Sequence, residues 1–489
     1  MHPYVATGAI CAILVLAGTA LSVAGVSHDA PALDTMEAHV AASGHGHGGG
    51  AHPYAGGTGT IPSSSDGLER INNIVIGSDK EFNPENGVRS GSGTFEDPYL
   101  ISGWSVESVL IHDTSKAFEM KELYVSNIMI LDWTGQGGYV HHNHINNLRT
   151  NRNVERTGDP SATVIEKNEI AKVEELRHFD GVVANNTIGR PALLDLVDLG
   201  DDVVFNIAGL NGAGIHDNMI YGGVDMKIHG HHHSDAEGAH SHNHGEPDAK
   251  QAEDHVEDHQ VRYVDFLFYH NTIKDNGFGL RYNDLNHAGD DRTATSEQEP
   301  DLEKPHTHHT KVTLLDNTID GATLRIAILN ADDERHVGPE TAELYLIDNK
   351  VLHPSAGDGI VVSDVKNAHV YVTDNKVEKD DRGILGLGVA KGLGGGQTGI
   401  LLQRFRNSTI HLDGNALGDY KYAIRASQFD ADTTWSVGQN SAPGAEYPVY
   451  WDDSVPNAPE GDAAPPEDNA HHHSDDAAPT DVVARKGVL

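Results

Sequence analysis

The chain has one cysteine in 489 residues. A lone thiol excludes an intrachain disulfide and a thiolate metal cage. Cys11 lies inside an apolar N-terminal run, and the residue before it, Ile10, is too large for a lipoprotein cleavage site. Cations are scarce too. Lys and Arg number 34 against 73 Asp and Glu, a formal net charge of −39. That balance excludes general nucleic-acid binding and disfavours anionic membrane surfaces. It fits the solvation shell of a halophilic or marine protein, and it fits a field that draws in cations. The two readings are compatible. Sustained 3.6-residue periodicity is nearly missing, so a helical fold is not expected. No nucleophile elbow, P-loop or dinucleotide fingerprint stands in a strand-to-helix setting. The GLGGG at residues 392–396 reads as a loop.

What is present is a short phrase that keeps returning, Asn-x-Ile or Asn-x-Val after an apolar run. It occurs at Asn143, Asn168, Asn186, Asn218, Asn271, Asn317, Asn349 and Asn375, with a looser copy at Asn415. Asn143 to Asn168 spans 25 residues and Asn349 to Asn375 spans 26, so the unit is about two dozen residues, and longer steps carry insertions. Within a unit the alternation is strand-like. Apolar residues fall three and five positions before the asparagine, as at Val312 and Leu314, and two after it, as at Ile145, Ile273 and Val351. The Asp-Asn pairs (Asp316-Asn317, Asp348-Asn349) sit where the chain must bend, because Asn tolerates the left-handed conformation and bonds its own backbone. One strand per unit cannot bury its apolar face alone. Units stacked about 4.8 Å apart bury a continuous core, which predicts an all-β fold, a single parallel β-helix (right-handed, as the resemblance below implies), with a β-sandwich as the competing fold.

The segment NGVRSGSGTFEDPYLISGWSV, residues 86–106, resembles the opening rung of secreted archaeal right-handed β-helix proteins. The Asn-x-Ile rungs are similar to the NosD-like, carbohydrate-binding and sugar-hydrolase type of repeat. The resemblance covers about residues 70 to 440. It implies a ladder of corner asparagines, and copper handling or polysaccharide chemistry as family functions, but it carries over no ligand residue. The fold alone does not choose among these activities.

Residues 5–26 form an unbroken apolar run of 22, long enough to span a bilayer or to serve as a cleaved signal. Residues 1–26 are therefore expected to be a signal peptide or membrane anchor, which places the rest outside the cytoplasm, secreted or held at the cell surface. Any membrane contact is expected through this segment alone. Residues 27–68 read as a Gly/His-rich linker, 69–440 as the solenoid and 441–489 as a disordered acidic tail. The insertions are expected to start near His229, Asn283, Asn330 and Val389, at a similar distance past their asparagines, and so to leave from one edge.

Histidine concentrates in those insertions. The first carries His229, His231, His232, His233, His240, His242, His244, His255 and His259, and the second His287, His306, His308 and His309. His336 lies in the third. Imidazole is the commonest transition-metal ligand, and the neighbouring carboxylates add oxygen donors. His255 and His259 are four apart, on one face of a short helix, and the His-x-His pairs suit an extended loop. With no thiolate cage and only six methionines, Zn²⁺ or Cu²⁺ fits better than Cu⁺. A low-complexity polar loop with incidental histidine is the bland alternative. His141, His142 and His144 form a further group on the wall, and the aspartates preceding the corner asparagines are the candidate for Ca²⁺, the lesser reading. A polysaccharide-active enzyme is the second functional expectation; its best candidates are Arg281 with Asp284 on one rung and Arg325 on the next. A purely structural surface protein or adhesin is the third.

Overall fold

In the computed structural model, residues 59–132, 137–151, 163–179, 181–189, 203–210, 214–228, 262–274, 277–282, 308–328, 341–354, 357–379, 398–452 and 454–456 are described. These residues are almost entirely β. Their only helical turns are the 3₁₀ segments Asp79–Glu81 and Pro84–Asn86. Strand pairing is parallel everywhere among the described residues except between Val88–Ser90 and Tyr99–Ser102.

Each turn of the chain lays one strand on each of three faces. The turn Thr341–Ile347, Lys350–Leu352, Ile360–Lys366 shows the rule. Its strands pair, face by face, with His308–Leu315, Thr318–Asp320 and Leu324–Ile328 before it. They pair with Ala368–Thr373, Lys376–Glu378 and Thr398–Arg406 after it. The first face forms a 13-stranded sheet, and the other two join in a 20-stranded one. The joining has a physical cause. In the early turns the second and third faces are covered by one long strand, as in Tyr124–Asp132 and His144–Asn151, bent by a register shift between Val125 and Ile128. A bulge of this kind bends a strand without ending it.

Period-two alternation fills the interior. On the second face Ile188, Ile220, Ile273, Ile319, Val351 and Val377 are register partners, each with no more than traces of exposure. On the third, Met226, Leu280, Ile326, Val362 and Leu402 stack in the same way. Each such side chain contributes about 1.5–3 kcal/mol on burial. The all-β, parallel, solenoid-like architecture expected from the repeat is therefore present.

Two expectations need correction. The sheet does not end at residue 440: Tyr447–Trp451 pairs with Tyr422–Phe429, and Val455 is buried. The tail's aromatic strand has no Asn-x-Ile phrase, so the repeat could not reveal it. The first parallel strand is Glu69–Ile76, paired with Trp104–His112. The Gly-Ser-Gly-Thr phrase closes the antiparallel hairpin. Gly91 has φ 97°, and a Cβ there would sit 1.9 Å from the Pro98 carbonyl oxygen. Finally, the fourth insertion leaves from a different corner. Residues 380–397 separate Lys376–Glu378 from Thr398–Arg406, between the second and third faces, whereas those after Ile228, Tyr282 and Ile328 follow the third. Counting from the asparagine cannot tell whether extra residues precede or follow a short strand. Residues 1–58 and 457–489 lie outside the described residues. Among the described residues no helix is long and apolar enough to cross a membrane.

Candidate functional site

The corner between the first and second faces is built by the repeated asparagines. In every turn from Asn143 to Asn415 the side chain is buried. From Asn168 on, its Oδ1 accepts from the asparagine one turn earlier, whereas that of Asn143 accepts from the Leu123 backbone N–H at 3.0 Å, and in every turn its Nδ2 donates to the asparagine one turn later. Asn317 is typical. It accepts from the Asn271 backbone N–H at 3.0 Å and donates to Phe268 O and Asn349 Oδ1, both at 2.9 Å. The ladder ends on Asn440, which accepts from Asn415 at 2.8 Å. Asn440 escaped the sequence pattern because Ala442 replaces the apolar β-branched residue two positions on. The left-handed residue is not the asparagine but the one before it: His142, Lys167, Asp217, His270, Asp316, Asp348 and Asp374 all have φ between 48° and 56°.

Those left-handed residues and their neighbours line the outside of the corner with titratable groups. His141 is fully buried. Its Nε2 bonds Glu119 Oε1 at 3.0 Å and its Nδ1 bonds His142 Nδ1 at 2.7 Å. Tyr139 stacks on the His141 ring at 4.1 Å and bonds Glu166, and Lys121 pairs with Glu119 at 3.0 Å. Burial pushes the Glu119 carboxyl up, but the bonds from His141 and Lys121 outweigh it and hold the carboxyl below its ordinary value. Burial, with the charges of His141 and Lys167, holds the His142 imidazole low. Further along, His216 bonds Asp217 at 2.8 Å, and burial with the Asp217 charge pushes the Tyr269 hydroxyl up to about 12. In the aspartate column, His270 lies 3.7 Å and Lys350 3.1 Å from Asp316. No group of three or more His, Cys, Asp or Glu side chains arranged to hold a metal occurs among the described residues.

The histidines of the insertions are placed only by their anchors. His229, His231, His232, His233, His240, His242, His244, His255, His259, His287, His306 and His336 lie outside the described residues, as does Asp284. His308 and His309 do not belong to a loop: they begin the strand His308–Leu315, paired with Arg262 and Tyr263. The anchors themselves stack. Gly223–Ile228, Phe278–Tyr282 and Leu324–Ile328, which the insertions leave, are consecutive register partners. So are Arg262–Tyr269, His308–Leu315 and Thr341–Ile347, which they rejoin. The strand ends that flank residues 229–261, 283–307 and 329–340 thus stand about 4.8 Å apart from one turn to the next.

The structure does bring Arg281 and Arg325 together. On the third face Leu280 and Ile326 point inward, so Arg281 and Arg325 point out, and both are exposed. Arg281 is the register partner of Lys227, and Arg325 of Gly279, itself the partner of Asp225. Lys227 Nζ lies 3.5 Å from Asp225 Oδ2. Asp225, Lys227 and Gly279 were not singled out from the sequence. Only the register, which crosses a long insertion, makes them neighbours of the two arginines. Compared with family models, with curated proteins and with solved structures, the chain finds no match in any of the three.

Proposed function

We propose that this chain is an extracytoplasmic protein, built on a single right-handed parallel β-helix of the NosD-like type it resembles, that binds divalent transition-metal ions. The ions, Zn²⁺ or Cu²⁺, are held by the His- and acid-rich insertions 229–261 and 283–307, with His229, His231–His233, His240, His242, His244, His255, His259 and His306 as the main donors. One observation supports this reading above the others: the insertions leave and rejoin adjacent strands at one corner. Segments anchored about one strand spacing apart share a small volume, so imidazoles far apart in sequence are available to the same ion. The export reading rests on the apolar run at residues 5–26. No catalytic step is assigned.

Calorimetric titration of the full, untagged chain with Zn²⁺ tests the reading. The comparison is a variant in which the histidines of residues 229–261 are changed to glutamine, preserving length and carboxylates. Loss of bound ions in the variant supports the assignment. Equal stoichiometry in the two proteins refutes it. Absence of any metal-induced rise in melting temperature would instead favour a purely structural surface protein.

A further inference from the structure

The third face carries a second feature that metal binding does not use. Gly279 sits mid-strand in Phe278–Tyr282, on the outward side. A glycine inside a strand weakens it and marks a bulge, a bend or a place where something approaches the backbone closely. Neither of the first two applies. Its register with Asp225 and Arg325 is unbroken, and its φ is not in the left-handed region. Packing does not exclude a side chain either: a Cβ there would meet nothing closer than Asp225 Oδ1 and the Val224 carbonyl oxygen, both at 3.8 Å. Gly279 therefore floors an open niche on the sheet.

The walls of the niche are charged. Asp225 lies one strand before Gly279 and Arg325 one strand after it, while Lys227 and Arg281 are the next outward residues along their strands. Lys227 has Asp225 within 3.5 Å. Arg281 and Arg325 make no hydrogen bond or ion pair with any described residue. Such pairing is easy to come by in a chain with 73 carboxylates. Like charges on neighbouring strands repel, and two guanidiniums beside a lysine, with no partner among the described residues, are therefore an unfavourable arrangement when nothing lies between them.

We propose that this niche binds a small oxyanion-bearing ligand. The two guanidiniums grip its carboxylate, phosphate or sulfate oxygens in the paired geometry that arginine favours. The Lys227 ammonium adds a third donor, Asp225 accepts from a ligand hydroxyl, and the bare Gly279 backbone lets the ligand lie against the sheet. The site stands on described residues alone and is independent of the insertions, so it survives failure of the metal reading.

The test uses the full chain, titrated at low salt with inorganic phosphate and with glucuronate, which adds hydroxyls to the charge. A protein of net charge −39 repels anions in general, so any saturable binding must be local. Arg281→Ala and Arg325→Ala should each weaken the tighter probe at least tenfold. Gly279→Val is the sharper variant because it keeps every charge. It should abolish binding while leaving the melting temperature unchanged or raised, valine being the better strand residue. Stronger binding of glucuronate than phosphate, reversed by Asp225→Ala, assigns a hydroxylated ligand; phosphate preferred with no effect of Asp225→Ala assigns a simple oxyanion. Three results overturn the proposal: no saturable binding of either probe, Gly279→Val binding as the parent does, or a lowered melting temperature in Gly279→Val, which would make the glycine structural.

Discussion

Two corners of the same coil are built on opposite terms. At the asparagine corner every turn from Asn143 to Asn415 bends with one left-handed residue followed by one buried asparagine, without interruption. At the corner after the third face, the later turns close within a few residues through Asn367 and Asn407, while the middle turns give way to residues 229–261, 283–307 and 329–340. The difference lies in what each corner's hydrogen bonds are tied to. An asparagine of the ladder is bonded to the turn before and the turn after, so an inserted residue would unpair buried groups in three turns at once. At the other corner the ladder-like bond between Asn407 Nδ2 and Asn367 Oδ1, at 2.9 Å, is exposed, and water can replace it. Insertion there costs little beyond chain entropy, which grows only slowly with length. A solenoid can thus vary freely at one corner because it is fixed at another.

The comparison can be broken most forcefully at the ladder. Asn317→Ala leaves the Phe268 carbonyl and the Asn271 N–H without partners in a buried column, and should lower the unfolding free energy by about 3 kcal/mol, read from the urea midpoint at constant slope. A loss under about 1 kcal/mol would mean that water substitutes inside the ladder after all. The opposite corner should respond with the opposite sign. Replacing residues 283–307 by a four-residue turn should stabilise the protein by about 1 kcal/mol through the shorter loop, and marked destabilisation would show the insertion to be part of the core.

A smaller effect sharpens the chemistry of the asparagine corner. The His142 imidazole is held low in the folded protein, so the unfolded chain takes up the proton first. Stability is therefore full above the unfolded value of about 6.5 and falls as pH drops below it. The Glu119 carboxyl is also held low, so its contribution persists above the unfolded carboxylate value and is lost only as pH falls through the depressed folded one. His142→Asn, with a side chain that tolerates the φ of 54°, should remove the decline in urea midpoint between about pH 6.5 and pH 5 and leave the lower one. An unchanged decline would place the titrating group elsewhere. Smallest of all, Lys350→Ala removes a half-exposed pair with Asp316 and should cost less than about 0.5 kcal/mol, vanishing at high salt.

Much of this architecture was legible in the residues. The Asn-x-Ile phrase marks the corner, and period-two alternation assigns Ile273 and Ile319 to the core, because both signals are local. What escaped depends on neighbours far along the chain. His141 reads as a wall histidine like His142; it is buried because Glu119 and Glu166 from the adjoining turns and Tyr139 of its own strand close around it. Asn440 serves the ladder without its apolar companion. The niche around Gly279 is set by register across residues 229–261, and no spacing rule crosses a gap of that length.

The side-by-side placement of the insertions is tested most directly by counting ions. Zn²⁺ stoichiometry would be measured calorimetrically for the full chain, for variants with residues 229–261 or 283–307 replaced by Gly-Ser linkers of equal length, and for the double replacement. If the insertions share ions across the corner, the losses in the two single variants should sum to more than the loss in the double. Unchanged stoichiometry in the double variant would contradict metal binding at this corner outright.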